Sequence, residues 1–147
     1  KRQIALFSIG RLLADTKHDA AAARDTFMLY LSRYPEGAFA SEALLRCAEI
    51  EFNRDQNTAL KLYLKYLRSF PDHYRNTEIR YRVGLIYMQR DNYKDAIAML
   101  ESSLAALTTD PQNLRRRIYA ALHKAYTATG AMEEARTIRE SFRTDSQ

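Results

Sequence analysis

The chain has no tryptophan, one cysteine, three prolines and four glycines among its 147 residues. Each shortage excludes something. A lone cysteine, Cys47, cannot form an intramolecular disulfide or anchor a thiol-rich metal site, and its neighbours Leu44, Leu45 and Ala48 mark it as a small core residue. So few prolines and glycines leave little material for the turns of many short strands, and long helices joined by short connections are expected. No apolar run is long enough for a membrane-spanning helix, and residues 1–30 lack the apolar core of a signal peptide. Because it opens at Lys1 without methionine, the chain is expected to be a fragment of a larger protein.

The constellations that carry catalysis are also missing. The three histidines, His18, His73 and His123, fall in a turn, a turn and a helix of different parts of the chain, with no pair at helical ligand spacing. No His-Glu-x-x-His, phosphate-cradling glycine loop or nucleophile elbow occurs. Glu133 and Glu134 are adjacent, so on a helix they point in different directions and suit a solvated face better than an acid–base pair. The chain is therefore expected to be non-enzymatic, without cofactor or metal.

What is present is an ordered composition, 46% hydrophobic and 28% charged, with a net charge of +5 spread along the chain. The clearest internal signal is Tyr30-Leu31-Ser32-Arg33-Tyr34-Pro35, answered by Tyr66-Leu67-Arg68-Ser69-Phe70-Pro71 thirty-six residues later. An alanine stands twelve places before each proline, at Ala23 and Ala59, and an aromatic follows it by four, at Phe27 and Tyr63. A period of that length marks a helical repeat array. Apolar residues at spacings of three and four divide the chain into eight helices in four hairpins. The first begins near Ile4 and turns at Thr16 to His18, with Asp19 capping the return helix. The second runs from about Ala38 and turns at Asn53 to Asn57. The third turns at Asp91-Asn92 and returns through Tyr93, Ala96, Leu100, Leu104 and Leu107. Asp110-Pro111 is a start signal for the fourth, and Gly130 suits the left-handed residue that ends its first helix.

The repeats resemble a known family. Val83-Gly84-Leu85-Ile86-Tyr87 with Tyr93, Asp95, Ala96 and Leu100 is similar to the tetratricopeptide repeat consensus. So are Ala125-Tyr126, Gly130 and Ala135, and the series Ala59, Tyr63, Tyr66, Pro71 and Ala23, Phe27, Tyr30, Pro35. The usual tryptophan is replaced by Leu6, Leu44, Arg80 and Tyr119, and His123 stands at a glycine position. The resemblance implies an all-α, right-handed α-solenoid of four repeats, at about 2–37, 38–74, 75–110 and 111–145, forming a single domain over 1–147. Tyr-Leu-x-x-Tyr-Pro-Glu-Gly-x-x-Ala-x-Glu-Ala-Leu, at residues 30–44, further resembles repeats of bacterial cell-envelope proteins of the outer-membrane assembly lipoprotein and Tol-Pal associated types. That favours the periplasm or envelope over the cytoplasm.

The resemblance also implies a concave groove lined by the first helix of each repeat. Its positions are Ile4, Phe7 and Arg11, then Leu45, Glu49 and Phe52, then Tyr81, Leu85 and Met88, then Arg117, Ala120 and Lys124. Such a wall, apolar at its centre and basic at one end, suits a peptide or protein segment as partner. The competing reading is that Phe7, Phe52, Tyr81 and Met88 only fill gaps between helices. The lysine and asparagine clamp of the chaperone-binding members is not reproduced. Two other functions stay open: nucleic-acid or anionic-polymer binding through Arg115-Arg116-Arg117, which lacks an interleaved aromatic platform, and self-association into a homo-oligomer.

Overall fold

A computed structural model describes residues 1–16, 19–109 and 113–145. The expected turn holding His18 and the expected start signal at Asp110-Pro111 lie outside these residues. Eight α-helices occur among the described residues, and no strand: α1 (Arg2–Asp15), α2 (Ala20–Arg33), α3 (Ala40–Phe52), α4 (Gln56–Ser69), α5 (Asn76–Gln89), α6 (Tyr93–Ala105), α7 (Leu114–Thr129) and α8 (Met132–Thr144). Neighbours pair as α1 with α2, α3 with α4, α5 with α6 and α7 with α8. The hairpins fall into two compact units, Lys1–Pro71 and Asp72–Gln147.

Local chemistry sets the boundaries. Asp19 caps α2, its carboxylate accepting from the Ala22 N–H at 3.0 Å. Asp55 caps α4 by accepting from the Asn57 N–H at 2.9 Å and the Thr58 hydroxyl at 2.6 Å. The turn before α4 is therefore shorter than its polar composition suggests, since Gln56 and Asn57 already belong to the helix. In the third hairpin α6 stops at Ala105, so Leu107 lies past it and packs on the core of the second unit as a connector residue. The Asp91-Asn92 turn is present, with Asp91 at φ 55° and Asn92 accepting from the Asp95 N–H.

Gly130 ends α7 at φ 77°, where an added Cβ would meet nothing within 4 Å. Only the backbone then resists a side chain. Gly130→Ala is expected to cost about 1–2 kcal/mol, the usual penalty of the left-handed region for an L-residue, and to lower the thermal midpoint by several degrees in a calorimetric scan.

In the first unit the core is aromatic. Phe27 and Tyr30 are fully buried with Ala23, and Phe7, Ala40, Ala43 and Cys47 close around them. The Tyr30 hydroxyl donates to Gln3 at 3.3 Å and accepts the Phe39 N–H at 3.1 Å, which ties α1 to the entry of α3. Glu51 is buried at 4% exposure and is held by Arg24, whose guanidinium donates to it at 2.9 Å. The second unit is more aliphatic: Leu100, Ile118 and Leu122 are fully buried, with Leu114 and Ala135 beside them. Ser103, also fully buried, donates to the Thr77 carbonyl at 2.7 Å, and the Tyr126 hydroxyl donates to Glu101.

Candidate functional site

In the second unit, α5 and α7 run beside each other and leave an open cavity of about 460 Å³. Tyr81, Leu85 and Met88 come from one face of α5, at helical spacings of four and three, and Gln89 stands at its end. From α7 come Arg117, Ala120, Ala121 and Lys124, so small side chains occupy the middle and two cations stand two turns apart at the rim. The alanines are what leaves room, because a larger residue at either place would fill the space between the helices.

Tyr81 is only 7% exposed, with its ring in the core that contains Leu100, Leu114 and Ile118. The Arg117 guanidinium lies 4.8 Å from the centre of that ring. The contact is a cation–π interaction, worth about 0.5–1 kcal/mol at an exposed site, and it orients the guanidinium without neutralising it. No carboxylate lines the cavity. The arrangement thus offers an apolar floor with an adaptable methionine and two unneutralised positive charges.

The structure brings together six of the expected groove residues, Tyr81, Leu85, Met88, Arg117, Ala120 and Lys124, with Gln89 and Ala121 added to them. Those in the first unit have other surroundings. Phe7, expected on the wall, is a core residue at 5% exposure, stacked on Phe39 at 4.6 Å between ring centres and tilted against Phe27 at 5.7 Å. Leu45 is likewise buried, at 1%. Phe52 is half-buried, edge-on to Tyr63. Arg11 is exposed, 3.9 Å from Asp15, and lines a shallow hollow with Ser8, Leu12 and Thr16. For Phe7, gap filling is therefore the reading that fits.

The triple arginine is not one patch. Arg115 lies 3.9 Å from Asp145, Arg116 stands over the Phe142 ring, and Arg117 stands over Tyr81. Glu133 and Glu134 are exposed, and Glu133 pairs with Arg136. Among the described residues no group of three or more His, Cys, Asp or Glu side chains could hold a metal ion, and no helix is long and apolar enough to cross a membrane.

Residues 42–73, which span α3 and α4, match the tetratricopeptide repeat family. No curated protein sequence matches the chain. Two solved structures are similar in fold. MamA of AMB-1 superposes with a TM-score of 0.74 at 16% identity, covering 95% of this chain and 70% of that one. A Podosopora anserina protein named after the kinesin light chain, with nearly identical TPR-like repeats, superposes with a TM-score of 0.69 at 16% identity, covering 97% of this chain and 74% of that one. Together with the hairpin pairing and the matched repeat, these likenesses make the fold an all-α array of TPR-like helix-turn-helix repeats.

Proposed function

We propose that the chain is a non-enzymatic protein-interaction scaffold whose cavity between α5 and α7 takes a peptide segment bearing an apolar anchor next to an acidic residue. One observation carries this: an apolar floor of Tyr81, Leu85 and Met88 lies beneath two cations, Arg117 and Lys124, with no acid in the lining. An apolar side chain entering over Leu85 and Met88 leaves a neighbouring carboxylate within reach of either cation. Displayed in such a pocket, these groups supply both affinity and register. The setting in a bacterial envelope or regulatory complex rests on the Tyr30 to Leu44 pattern alone.

Substitution of Tyr81 is a poor probe, because its ring is part of the core. Arg117→Ala and Lys124→Ala alter exposed side chains instead. Selection of random peptides on the immobilised chain should enrich sequences with Leu, Met or Phe beside Asp or Glu. The Arg117→Ala/Lys124→Ala pair should weaken a selected peptide at least about tenfold, or about 1.4 kcal/mol, with the thermal midpoint lowered only by the few degrees that loss of the Arg117–Tyr81 contact accounts for. Enriched peptides that bind the double variant as well as they bind the parent chain would remove the proposal. The rival polyanion reading has less support, since Arg115, Arg116 and Arg117 engage three different partners. It requires binding to a DNA or RNA oligonucleotide that falls steeply with salt.

A further inference from the structure

The segment Tyr30 to Gly37, which carries the first copy of the pattern shared by the ends of α2 and α4, also shapes a cleft in the first unit. The cleft encloses about 600 Å³, within the range of small-molecule sites. Leu31, Pro35 and Glu36 come from the end of α2 and the connection after it, Lys65 and Phe70 from the end of α4, and Leu44 from α3. Leu44 stands where the repeat consensus carries tryptophan, so an aliphatic group lines the cleft in place of a ring. Room is left for a ring that the chain does not supply.

The residues around the cleft are held by the protein itself. The Tyr30 hydroxyl accepts the Phe39 N–H, the Gly37 N–H donates to the Tyr34 carbonyl at 3.0 Å, and the Ala40 N–H donates to the Gly37 carbonyl at 2.9 Å. An added Cβ at Gly37 would collide with the Tyr30 hydroxyl, so only glycine lets the connection close this tightly. Phe70 is half-buried, its ring centre 5.2 Å from that of the fully buried Tyr66. A ligand entering here orders little of the protein, which lowers the cost of binding. The charges point to its chemistry. Glu36 and Lys65 are the only charged residues lining the cleft; both are exposed, and among the described residues they form no ion pair with each other or with another side chain. A ligand of single sign is attracted by one and repelled by the other, whereas a zwitterion is attracted by both.

We propose that this cleft binds a free aromatic α-amino acid, with its ring against Phe70 and Leu44, its ammonium beside Glu36, and its carboxylate beside Lys65 and the Ser69 hydroxyl. The ring is aromatic because Phe70 offers an aromatic partner, and such pairs gain more than their buried area alone provides. An aromatic residue inside a protein segment is a poorer occupant. Its amine and carboxyl are tied up in peptide bonds and answer neither charge. The cavity between α5 and α7 differs in kind, since its two cations and lack of an acid select an anion.

The test is a titration of L-tryptophan into the methyl-labelled chain, followed at Leu31 and Leu44. Saturable shifts of both are expected. Glu36→Gln and Lys65→Met, which alter exposed side chains, should each weaken binding about two- to fivefold, the range of one solvent-accessible charge pair. N-acetyl-L-tryptophanamide keeps the ring and loses both charges. It should bind roughly tenfold more weakly, the product of two such losses, and be indifferent to either substitution. L-leucine, which keeps the charges and lacks the ring, should also bind more weakly than L-tryptophan. Leu44→Trp fills the cleft and should remove the Leu31 shifts. Equal affinity for L-tryptophan and its uncharged amide would overturn the proposal and make the occupant an aromatic side chain of a protein segment. So would L-leucine binding as tightly as L-tryptophan, affinity unmoved by both charge substitutions, or undiminished Leu31 shifts in a folded Leu44→Trp chain. Shifts confined to Leu85 and Met88 would place the ligand in the other cavity and overturn it as well. Because those two methyl reporters belong to the peptide site alone, either proposal can fail by itself.

Discussion

Phe27→Ala is expected to cost the first unit about 3–5 kcal/mol, the range for removing a fully buried phenylalanine, and to lower its denaturant midpoint accordingly. The magnitude belongs at the high end because the site cannot collapse. The helix facing the ring carries Gly10, which has no side chain to move into the space, and an added Cβ there would stand 2.6 Å from the ring. Phe7 is the nearest ring, and its stacking on Phe39 holds it in place. A second substitution tests the assignment. Gly10→Ala in the parent chain gains helix propensity but collides with a ring that has no free space, so a net loss of about 1–3 kcal/mol is expected. Combined with Phe27→Leu, the same methyl group enters vacated volume. The two changes should therefore couple favourably, with the double variant more stable than the sum of the single losses by ~1 kcal/mol or more. Strict additivity in a urea melt would show that Gly10 and Phe27 do not share the contact.

Much of this architecture is legible in the residues, because a repeat states each instruction more than once. The Ala23, Phe27, Tyr30 series and the Ala59, Tyr63, Tyr66 series each put three buried residues on one helical face, and no propensity argument is needed to see that they do the same job. Asp19, the Asp91-Asn92 turn and Gly130 are readable for a different reason: a cap, a turn and a left-handed residue are local, and local chemistry is set within a few positions. Most of the site is legible too, since Tyr81, Leu85 and Met88 share one face of α5 by spacing, and Arg117, Ala120 and Lys124 share one face of α7. What spacing cannot give is whether a side chain on that face looks outward. Phe7 stands at a groove position, yet it turns into the core because Phe39, on the approach to α3, offers a ring to stack on. Glu49 and Glu51 are indistinguishable as letters. The second is buried only because Arg24, far off in sequence, reaches it from α2. Long-range pairings of this kind depend on which helices become neighbours, and no window of the sequence contains both partners.

The largest chemical effect is expected at Cys47. Its thiol is fully buried, 3.8 Å from the Arg24 carbonyl, and burial pushes its pKa up from 9.0 to about 12; the buried Glu51 and nearby Asp25 add to the rise and Arg24 partly offsets it. The attacking species in alkylation is the thiolate. At pH 8 the folded chain therefore holds about a thousandfold less of it than an open chain does, before steric shielding is counted. Iodoacetamide should modify Cys47 at least about 10³-fold more slowly in buffer than in urea. The same shift fixes a pH dependence of stability. Between pH 9 and about 12 the unfolded chain has released a proton that the folded chain keeps, so stability falls as pH rises through that window and is unaffected by this group below it. Cys47→Ala should remove that alkaline loss. Labelling then becomes a gauge of opening in the first unit: if reaction proceeds through opened molecules, the 3–5 kcal/mol lost in Phe27→Ala raises their population, and hence the rate at pH 8, by roughly 10²- to 5 × 10³-fold. A rate that Phe27→Ala leaves unchanged would mean that reagent reaches Cys47 without the α2 and α3 helices parting, and that Phe27 does not close over it.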